Sequence, residues 1–348
     1  MTDQYLICTA CGTQHPHISR SSLKTCFICD DPRQFVPPSG QSFTTLSDLR
    51  SSTSPKYKNE FHPYKYSSPQ EKFTSSARSN LSNSNGEPKE PKGPATIEDL
   101  KQAELISITT TPKFGIGQRA ILIRGLPSGK NVLWDCVAYL DDDTINTIKQ
   151  LGGVDAMVIS HPHFYTTHLE WAKTFNCQVW LAADDKQWRA RLDDEGLRRE
   201  IMEEETVILD KSGEETGVVA VKLGGHFPGS LVLHIPHSRR LLTADTIFTT
   251  PSGLSNWEVN ALGEPRSRPK DTNSYSFMWS IPNMIPLSAD EIARMWGILK
   301  KYDFTSTHGL ILGQDIEEAD VKKRVLESVQ IQLRMMGVKE HPVFSEDI

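Results

Sequence analysis

The chain has 348 residues, 37% of them hydrophobic, so it is long enough to bury at least one large core. Its formal net charge of −6 provides no basic surface, so neither nucleic acid nor an anionic membrane is an expected partner. No apolar run approaches the roughly 18 residues of a membrane span, and the first residues lack a signal-peptide pattern. We therefore expect a cytoplasmic or nuclear protein.

The N-terminal region carries four of the six cysteines as two closely spaced pairs. Two residues separate Cys8 from Cys11 and Cys26 from Cys29, and fourteen residues lie between the pairs. This spacing is typical of a zinc ribbon, because each pair offers two thiolates to one tetrahedral ion. Two disulfides in a secreted module are the alternative, which the missing signal peptide disfavours. We predict a structural zinc site in a ribbon domain of residues 1–45, folded mainly by its metal.

Residues 46–100 differ from their surroundings in composition. From Ser51 to Pro94 the chain is rich in Ser, Asn, Pro, Lys and Glu. Such a segment buries too little apolar surface to offset the entropy of ordering it, which predicts a flexible linker. Four aromatic residues interrupt the polar pattern and are candidates for docking onto a neighbouring domain: Tyr57, Phe61, Tyr64 and Tyr66.

From residue 101 onward the chain has the pattern of strands and helices of an α/β protein. Predicted strands are Leu105–Thr109, Gln118–Arg124, Asn131–Trp134, Ala156–Ser160, Cys177–Ala182, Val218–Leu223, Leu231–Ile235, Arg240–Ala244 and Phe304–Thr307. Predicted helices are Asp142–Leu151, Leu169–Phe175, a charged segment from Asp184, Ala289–Lys301 and Ile316–Met336. Strands followed by helices, twice over, indicate two sheets packed face to face with helices outside.

One strand-like run ends in two histidines one residue apart, His161 and His163. Alternate side chains of an extended segment share a face, and Pro162 keeps the residue before it extended, so we expect the two imidazoles to point the same way. Thr167 and Glu170 have the spacing of a capping box, which places the pair in a strand-to-helix loop. Two half-exposed loop histidines remain the simpler explanation if the pair is taken alone.

Three further strand-like runs end in a histidine or an aspartate. His226 follows a strand and two glycines, Asp245 directly follows an apolar strand, and His308 precedes a glycine at a strand end. Each residue taken alone could be an ordinary hydrogen-bonded loop residue. Four strand ends that all deliver metal-ligating side chains together predict a single metal site.

The order of these ligands resembles that of the metallo-β-lactamase superfamily, and further segments resemble a branch with an N-terminal zinc ribbon. Those segments are Cys8-x2-Cys11-Gly-Thr-Gln, Pro112–Ala120, Val132–Cys136, Ser160–Tyr165, Gly224–Ser230 and Tyr275–Asn283. The resemblance implies an αββα sandwich over residues 101–348. It also implies that His161, His163 and His226 complete the first metal site, with Asp245 and His308 as further ligands.

The chain departs from the superfamily motif H-x-H-x-D-H, because Tyr165 and Thr166 stand where the motif has its aspartate and last histidine. The second metal site therefore lacks its defining aspartate, and one ion is expected rather than two. His168 lies two residues beyond the motif and is a less favoured ligand. Tyr165 is either a hydrogen-bond donor near the metal or a packing aromatic.

A metal-dependent hydrolase is the expected function. Zn²⁺ held by three neutral imidazoles lowers the pKa of a bound water toward ~7 and supplies hydroxide at neutral pH. Asp245 would ligate or orient that water, and His308 would protonate a leaving group or stabilise an oxyanion. The expected small-molecule substrate is an ester, lactone, thioester or amide, and a nuclease is disfavoured because phosphodiester cleavage usually uses two metals.

A long aromatic segment follows the Asp245 strand and is a candidate wall of the substrate site, although packing in a core would explain it equally well. The predicted wall residues are Trp257, Tyr275, Phe277 and Trp279. Two alternatives to a hydrolase stay open. One is an iron-dependent oxygenase that uses two histidines and Asp245 as a facial triad. The other is a catalytically degraded scaffold whose ribbon contacts a protein partner.

Overall fold

Two β-sheets packed face to face form the centre of the protein, whose computed structural model describes residues 2–64, 94–193 and 195–348. The first sheet comprises, in spatial and chain order, β3 (Lys58–Tyr64), β4 (Leu105–Thr111), β5 (Arg119–Ile123), β6 (Val132–Trp134), β7 (Ala156–Val158), β8 (Gln178–Ala182) and β9 (Arg198–Ile201). The second comprises β10 (Glu205–Leu209), β11 (Glu215–Lys222), β12 (Leu231–Ile235), β13 (Arg240–Ala244), β18 (Ser306–Gly309) and β19 (Asp315–Glu317).

The pairing of the strands decides which strand ends meet. In the first sheet β3 to β6 are antiparallel, whereas β6, β7, β8 and β9 run parallel to one another. In the second sheet β13 and β18 are a parallel pair among antiparallel neighbours. Loops that follow parallel strands leave a sheet at the same edge, which is where open α/β sheets place their ligands.

Helices cover the outer face of each sheet, which gives the predicted αββα sandwich. The described α-helices are α1 (Phe27–Asp30), α2 (Leu46–Ser51), α3 (Ile97–Lys101), α4 (Asp142–Gln150), α5 (His168–Phe175), α6 (Ala289–Leu299) and α7 (Val321–Met335). Trp171 of α5 and Ile148 of α4 pack against the first sheet, and Trp296 of α6 and Val325 of α7 pack against the second. A third apolar cluster fills the space between the sheets. None of these helices is both long and apolar enough to cross a membrane.

The cysteine-rich N-terminal region packs onto the first sheet rather than standing apart from it. Its short strands β1 (Ile7–Cys8) and β2 (Phe43–Thr44) pair with each other, and α1 follows the third cysteine. All four cysteines belong to the same buried cluster as residues of α4, α5 and the first sheet. The division into an isolated ribbon of residues 1–45 and a separate domain of residues 101–348 is therefore not the arrangement found.

The predicted flexible linker is wrong at both of its ends. Residues 46–51 form α2, and β3 pairs along its whole length with β4 as an edge strand of the first sheet. The edge position explains the misassignment, because a strand with one paired side and a half-buried face carries the polar residues of a linker. After the gap, α3 begins with a capping box at Thr96. Residues 65–93 lie outside the described part of the chain.

Two of the predicted helices also differ from the structure. The charged segment from Asp184 forms only a 3₁₀ turn, Ala183–Trp188, before the chain enters β9. The last predicted helix, Ile316–Met336, begins instead with β19, and α7 starts five residues later than expected. Outside the two large sheets, four short strands form two antiparallel pairs. These are β14 (Phe248–Thr249) with β15 (Tyr275–Ser276) and β16 (Met278–Ser280) with β17 (Ile285–Pro286).

Candidate metal centre

The loop after β7 places two histidines at the edge of the first sheet. His161 is fully extended, with φ −171° and ψ 173°, and the next three residues, Pro162–Phe164, form a 3₁₀ turn. The expectation that the segment stays extended is therefore correct for His161 only. Proline at the first position of the turn supplies the required φ, and the turn brings the ring of His163 to 5.1 Å from that of His161.

Two further loops bring the other members of the group to the same place. His226 follows two glycines in left-handed conformation, and a Cβ at Gly225 would lie 2.8 Å from atoms of Leu287 and Met295. That position thus requires glycine. Asp245 comes directly after β13, where Ala244 has a φ of 45° that turns the backbone at the strand end.

The four side chains point their ligating atoms at one another. Candidate ligand atoms of His161, His163, His226 and Asp245 all lie within 4.8 Å of one another. The Oδ2 atom of Asp245 is 3.3 Å from His161 Nε2, 3.8 Å from His163 Nδ1 and 3.6 Å from His226 Nε2. Three imidazoles and a carboxylate at these separations form a donor set suited to zinc, iron and other divalent transition metals.

Hydrogen bonds on the far sides of the rings fix which nitrogen faces the centre. His226 Nδ1 lies 3.3 Å from the carbonyl oxygen of Met278, so Nδ1 carries the proton and Nε2 keeps its lone pair. His161 Nδ1 is 2.9 Å from Ser160 Oγ. His161 Nε2 is buried and has no hydrogen-bond partner among the described residues, as expected of a metal-binding nitrogen.

Burial also sets the protonation states of the group. All four side chains are at most 4% exposed, and burial lowers the pKa of His163 and, more strongly, of His226. Burial alone would raise the pKa of Asp245, but the neighbouring histidines, His161 foremost, hold it well below its usual range. The lowered pKa values keep His163 and His226 neutral and Asp245 ionised near pH 7, which is the state that binds a cation.

The group fits a metal ion on chemical grounds. A buried carboxylate is costly unless a positive charge compensates it, and Asp245 Oδ1 is buried without a hydrogen-bond partner in the described structure. A divalent cation held by His161 Nε2, His163 Nδ1, His226 Nε2 and Asp245 Oδ2 would give the unpartnered His161 Nε2 a ligand bond and would compensate the charge of Asp245.

Asp135 is a supporting residue that the sequence reasoning did not single out. It follows β6 with a φ of 59°, and its Oδ1 accepts a hydrogen bond of 2.7 Å from the backbone N–H of Ser160. Asp135 thereby ties the end of β6 to the residue before His161. Like Asp245, Asp135 is an aspartate at the end of an apolar strand, so the same sequence pattern could have identified it.

His308 lies in a different polar network, and the structure does not bring it into the four-residue group. Its Nδ1 is 2.8 Å from Asp315 Oδ1, its Nε2 is 3.4 Å from Arg240, and Tyr64 of β3 lies edge-on at 5.1 Å. The predicted roles of His308 in metal binding and proton donation are therefore not supported by its position. His308 is held away from the group by Asp315, because β19 pairs with β18 and places this carboxylate beside the imidazole.

Tyr165 and His168 also lie in a neighbouring cluster rather than in the group. His168 Nδ1 is 2.5 Å from the carbonyl oxygen of Tyr165, and its Nε2 accepts hydrogen bonds from Arg198. Both nitrogens of His168 are thus already engaged. The hydroxyl of Tyr165 is fully buried close to Arg189, and burial raises its pKa. The capping box expected at Thr167 is also absent, since its hydroxyl donates to Ala138 instead.

The four residues of the predicted aromatic wall lie in different surroundings and do not form one surface. Tyr275 and Phe277 are core residues packed against α6 and α7, and the Tyr275 hydroxyl is 2.7 Å from Thr307. Trp257 donates to Ser252 and stacks with a nearby arginine in the loop before β15. Trp279 follows Met278, whose carbonyl oxygen accepts from His226.

One residue of the N-terminal region contacts the histidine group and was not predicted. Arg33 donates from Nε to the carbonyl oxygen of His226 at 2.7 Å. Its guanidinium lies 4.6 Å from the ring centre of Phe227, 4.8 Å from Trp279 and 5.4 Å from Trp188. Asp31 holds the guanidinium with two contacts of 3.0 and 3.1 Å. The chain that leaves the cysteine-rich module thus contacts the backbone of one member of the histidine group.

The four N-terminal cysteines form a second group. Cys8, Cys11, Cys26 and Cys29 are buried, and their sulfur atoms all lie within 4.8 Å of one another. Four unbridged thiols at this spacing suit a closed tetrahedral metal site. His15 adds a polar contact, with Nε2 3.3 Å from Cys26 Sγ.

Comparison with known proteins agrees with the geometry. The family model described as "Metallo-beta-lactamase superfamily" matches residues 115–285. The chain is 33% identical over 324 residues to the uncharacterized protein YmaE of Bacillus subtilis, covering 91% of this chain and 92% of that protein.

Solved structures show a more distant likeness. The mono-zinc form of the metallo-β-lactamase FIM-1 from Pseudomonas aeruginosa is 12% identical, with a TM-score of 0.41 over 67% of this chain and 92% of that one. The peroxy diiron form of the chemotaxis sensor ODP is 15% identical, with a TM-score of 0.42 over 64% of this chain and 89% of that one. With its ligand order, its sandwich and the family match in agreement, the chain belongs to the metallo-β-lactamase superfamily.

Proposed function

We propose that this protein is a single-metal hydrolase that acts on an ester, lactone, thioester or amide substrate. The observation that carries the proposal is the convergence of His161, His163, His226 and Asp245 on one point, with ligand atoms within 4.8 Å. A divalent ion held there supplies an activated water and a Lewis acid for a substrate carbonyl.

One ion is proposed rather than two because the second set of ligands is missing. Tyr165 and Thr166 occupy the motif positions that would supply it, and the Thr166 hydroxyl instead donates to the carbonyl oxygen of Cys136. His308 is held by Asp315. Of the ligands expected for a second ion, Asp245 alone belongs to the histidine group, and one carboxylate offers too few ligands to hold a second ion against water.

The chain's own residues have three tasks in this proposal. Asp245, kept ionised by its neighbours, orients water or completes the ligand set. Ser160 and Met278 hold the rings of His161 and His226 in the required orientation. Arg33 holds the backbone of His226, and Trp279, whose ring packs against Arg33, offers an apolar surface to the substrate.

Turnover tests the proposal directly. The full chain is assayed with a panel of esters, lactones, thioesters and amides, beside the isosteric variant Asp245→Asn and a sample treated with chelator. We expect turnover of at least one class that both treatments abolish and that added Zn²⁺ restores to the chelated sample. Absence of turnover in protein that carries the ion would contradict hydrolysis and favour a scaffold that binds a protein partner.

An iron-dependent oxygenase remains a second candidate, because histidines with a carboxylate also suit Fe(II). Elemental analysis of purified protein distinguishes the two. Zinc at the histidine group supports hydrolysis, whereas iron together with dioxygen uptake in the presence of a substrate supports the oxygenase.

A further inference from the structure

We propose that Gln118 is a positioning residue through which the cysteine module sets the geometry of the histidine group. The proposal rests only on metal binding by that group and not on hydrolysis. Gln118 precedes β5, is 3% exposed, and lies between the two candidate metal sites.

The carboxamide of Gln118 bridges the two sites directly. Its Nε2 donates to the carbonyl oxygen of Cys11 at 2.7 Å and to the carbonyl oxygen of His163 at 3.1 Å. An amide nitrogen has two hydrogens, so both are used by these bonds. The bridge thus joins the backbone of Cys11, a candidate thiolate ligand, to the backbone of His163, a candidate imidazole ligand. A displacement of either carbonyl group shifts the amide and strains its hydrogen bond to the other carbonyl.

The cysteine knuckle is in close contact with this bridge. Gly12 has a φ of 84°, and a Cβ there would lie 3.0 Å from Ala138, 3.4 Å from Thr166 and 3.7 Å from Gln118 Nε2. Glycine at this position thus lets the knuckle backbone approach the histidine loop. The backbone N–H of Gln14 then donates to the carbonyl oxygen of Thr166 at 3.1 Å, which fixes the same loop three residues after His163.

A second contact, from the N-terminal region itself, acts on another member of the group. Arg33, four residues after Cys29, donates to the carbonyl oxygen of His226 at 2.7 Å. The N-terminal region therefore holds the carbonyl of His226 directly, through Arg33, and that of His163 through Gln118. Hydrogen bonds that orient metal ligands commonly change metal affinity by about 10- to 100-fold when they are lost.

The chain offers a closely matched control for Gln118. Gln14 is also a glutamine, is 1% exposed, and lies at the same junction. Its side chain contacts Arg191 and the carbonyl oxygen of Thr2, neither of which belongs to the histidine group. Gln14→Met therefore removes a comparable buried carboxamide without removing a bond to a ligand's backbone.

Cobalt substitution of the full chain provides the test. Wild type, Gln118→Met, Gln118→Asn and Gln14→Met are loaded with Co²⁺ and titrated with a chelator. Cobalt bound by thiolates shows strong d–d bands as well as sulfur-to-metal charge-transfer absorption. The cysteine group is therefore kept filled with Zn²⁺, which is d¹⁰ and has no d–d bands, so that the cobalt d–d bands report the histidine group alone. Gln118→Asn keeps an amide that is one methylene too short to span both carbonyls, and serves if the Met variant does not fold.

We expect both Gln118 variants to lose cobalt from the histidine group at about tenfold lower chelator concentration and with altered d–d bands. Gln14→Met should match the wild type. Equal affinity and spectra in the Gln118 variants and the wild type would overturn the inference, as would an equal loss in Gln14→Met. A wild-type protein without d–d bands from the histidine group would instead refute metal binding there, and with it the proposed function.

Discussion

Asp245 is the residue on which the candidate centre depends most, because it supplies the one carboxylate in a group with three imidazoles. Sequence reasoning identified it from its place at the end of an apolar strand, and His161, His163 and His226 from comparable places. The same rule selected His308, which lies at a strand end but pairs with Asp315. Position along a strand predicts which edge a side chain reaches, whereas the partner it meets depends on neighbouring strands.

Removal of a ring from the group should remove the metal. We expect His163→Ala to lose the ion of the histidine group and to reduce turnover by more than about 100-fold, beyond the typical effect of residues that only support a ligand. His168→Gln is the control, since His168 is buried nearby but contacts Tyr165 and Arg198. Elemental analysis and initial rates measure both. Loss of the ion in His168→Gln would make that residue a ligand.

Asp185 should make the stability of the protein depend on pH. It is fully buried, its Oδ1 accepts from the N–H of Gly229 at 2.8 Å, and burial raises its pKa from 3.8 to about 6. Between these values the native state binds the proton more strongly than the unfolded state, so stability falls as pH rises through this window and levels off above about 6.

Asp185→Asn removes this titration. Between pH 5 and pH 7.5 the free energy of unfolding of the wild type should fall by about 1 kcal/mol relative to the variant, as measured by urea denaturation. Asp184→Asn serves as the control, because Asp184 is partly exposed and pairs with Lys222 at the surface. A parallel pH dependence in the wild type and Asp185→Asn would contradict the assignment.

At the scale of elements, strong patterns were predictable and edge elements were not. The central strands β5, β6, β12 and β13 and the helix α6 follow from their apolar periodicity. β3 and β19 were missed because an edge strand pairs on one side and tolerates polar residues, so its pattern resembles a loop or a helix start. The 3₁₀ turn at Pro162–Phe164 replaces the expected extension, and the histidines still meet because the turn folds His163 back.

The cysteine module should unfold together with the rest of the protein, contrary to the expectation of an independent ribbon. Its four cysteines share a buried cluster with the first sheet and with α4 and α5. Cys26→Ser removes a thiolate ligand, and we expect it to lower the melting temperature of the whole chain while a single transition is retained. Differential scanning calorimetry measures both quantities.

Cys177→Ser is the matched control for that substitution. Cys177 is 1% exposed and lies in the same cluster, but it is not among the four clustered cysteines. We expect a smaller decrease in melting temperature and an unchanged metal content. Two separate transitions in Cys26→Ser, with the second at the wild-type temperature, would show that the module folds independently.

At the scale of the whole molecule, the described N-terminal residues belong to the same architecture as the sandwich. They contribute β3 to the first sheet, a bond to the backbone of His226 through Arg33, and the cysteine group beside the histidine loop. Composition could not predict this arrangement, because the contacts are made between segments more than 100 residues apart. The sequence nevertheless predicted the family, because the order of the metal ligands along the chain does not depend on these contacts.

The central claim is that the histidine group holds one metal ion through His161, His163, His226 and Asp245. A crystal structure with anomalous data collected above and below the zinc and iron absorption edges tests it most directly. The account predicts one anomalous peak within coordination distance of all four side chains, about 2.0 to 2.2 Å from each ligand atom, and a separate peak among the four cysteines. Two peaks in the histidine group, or a peak there that His308 ligates, would contradict it.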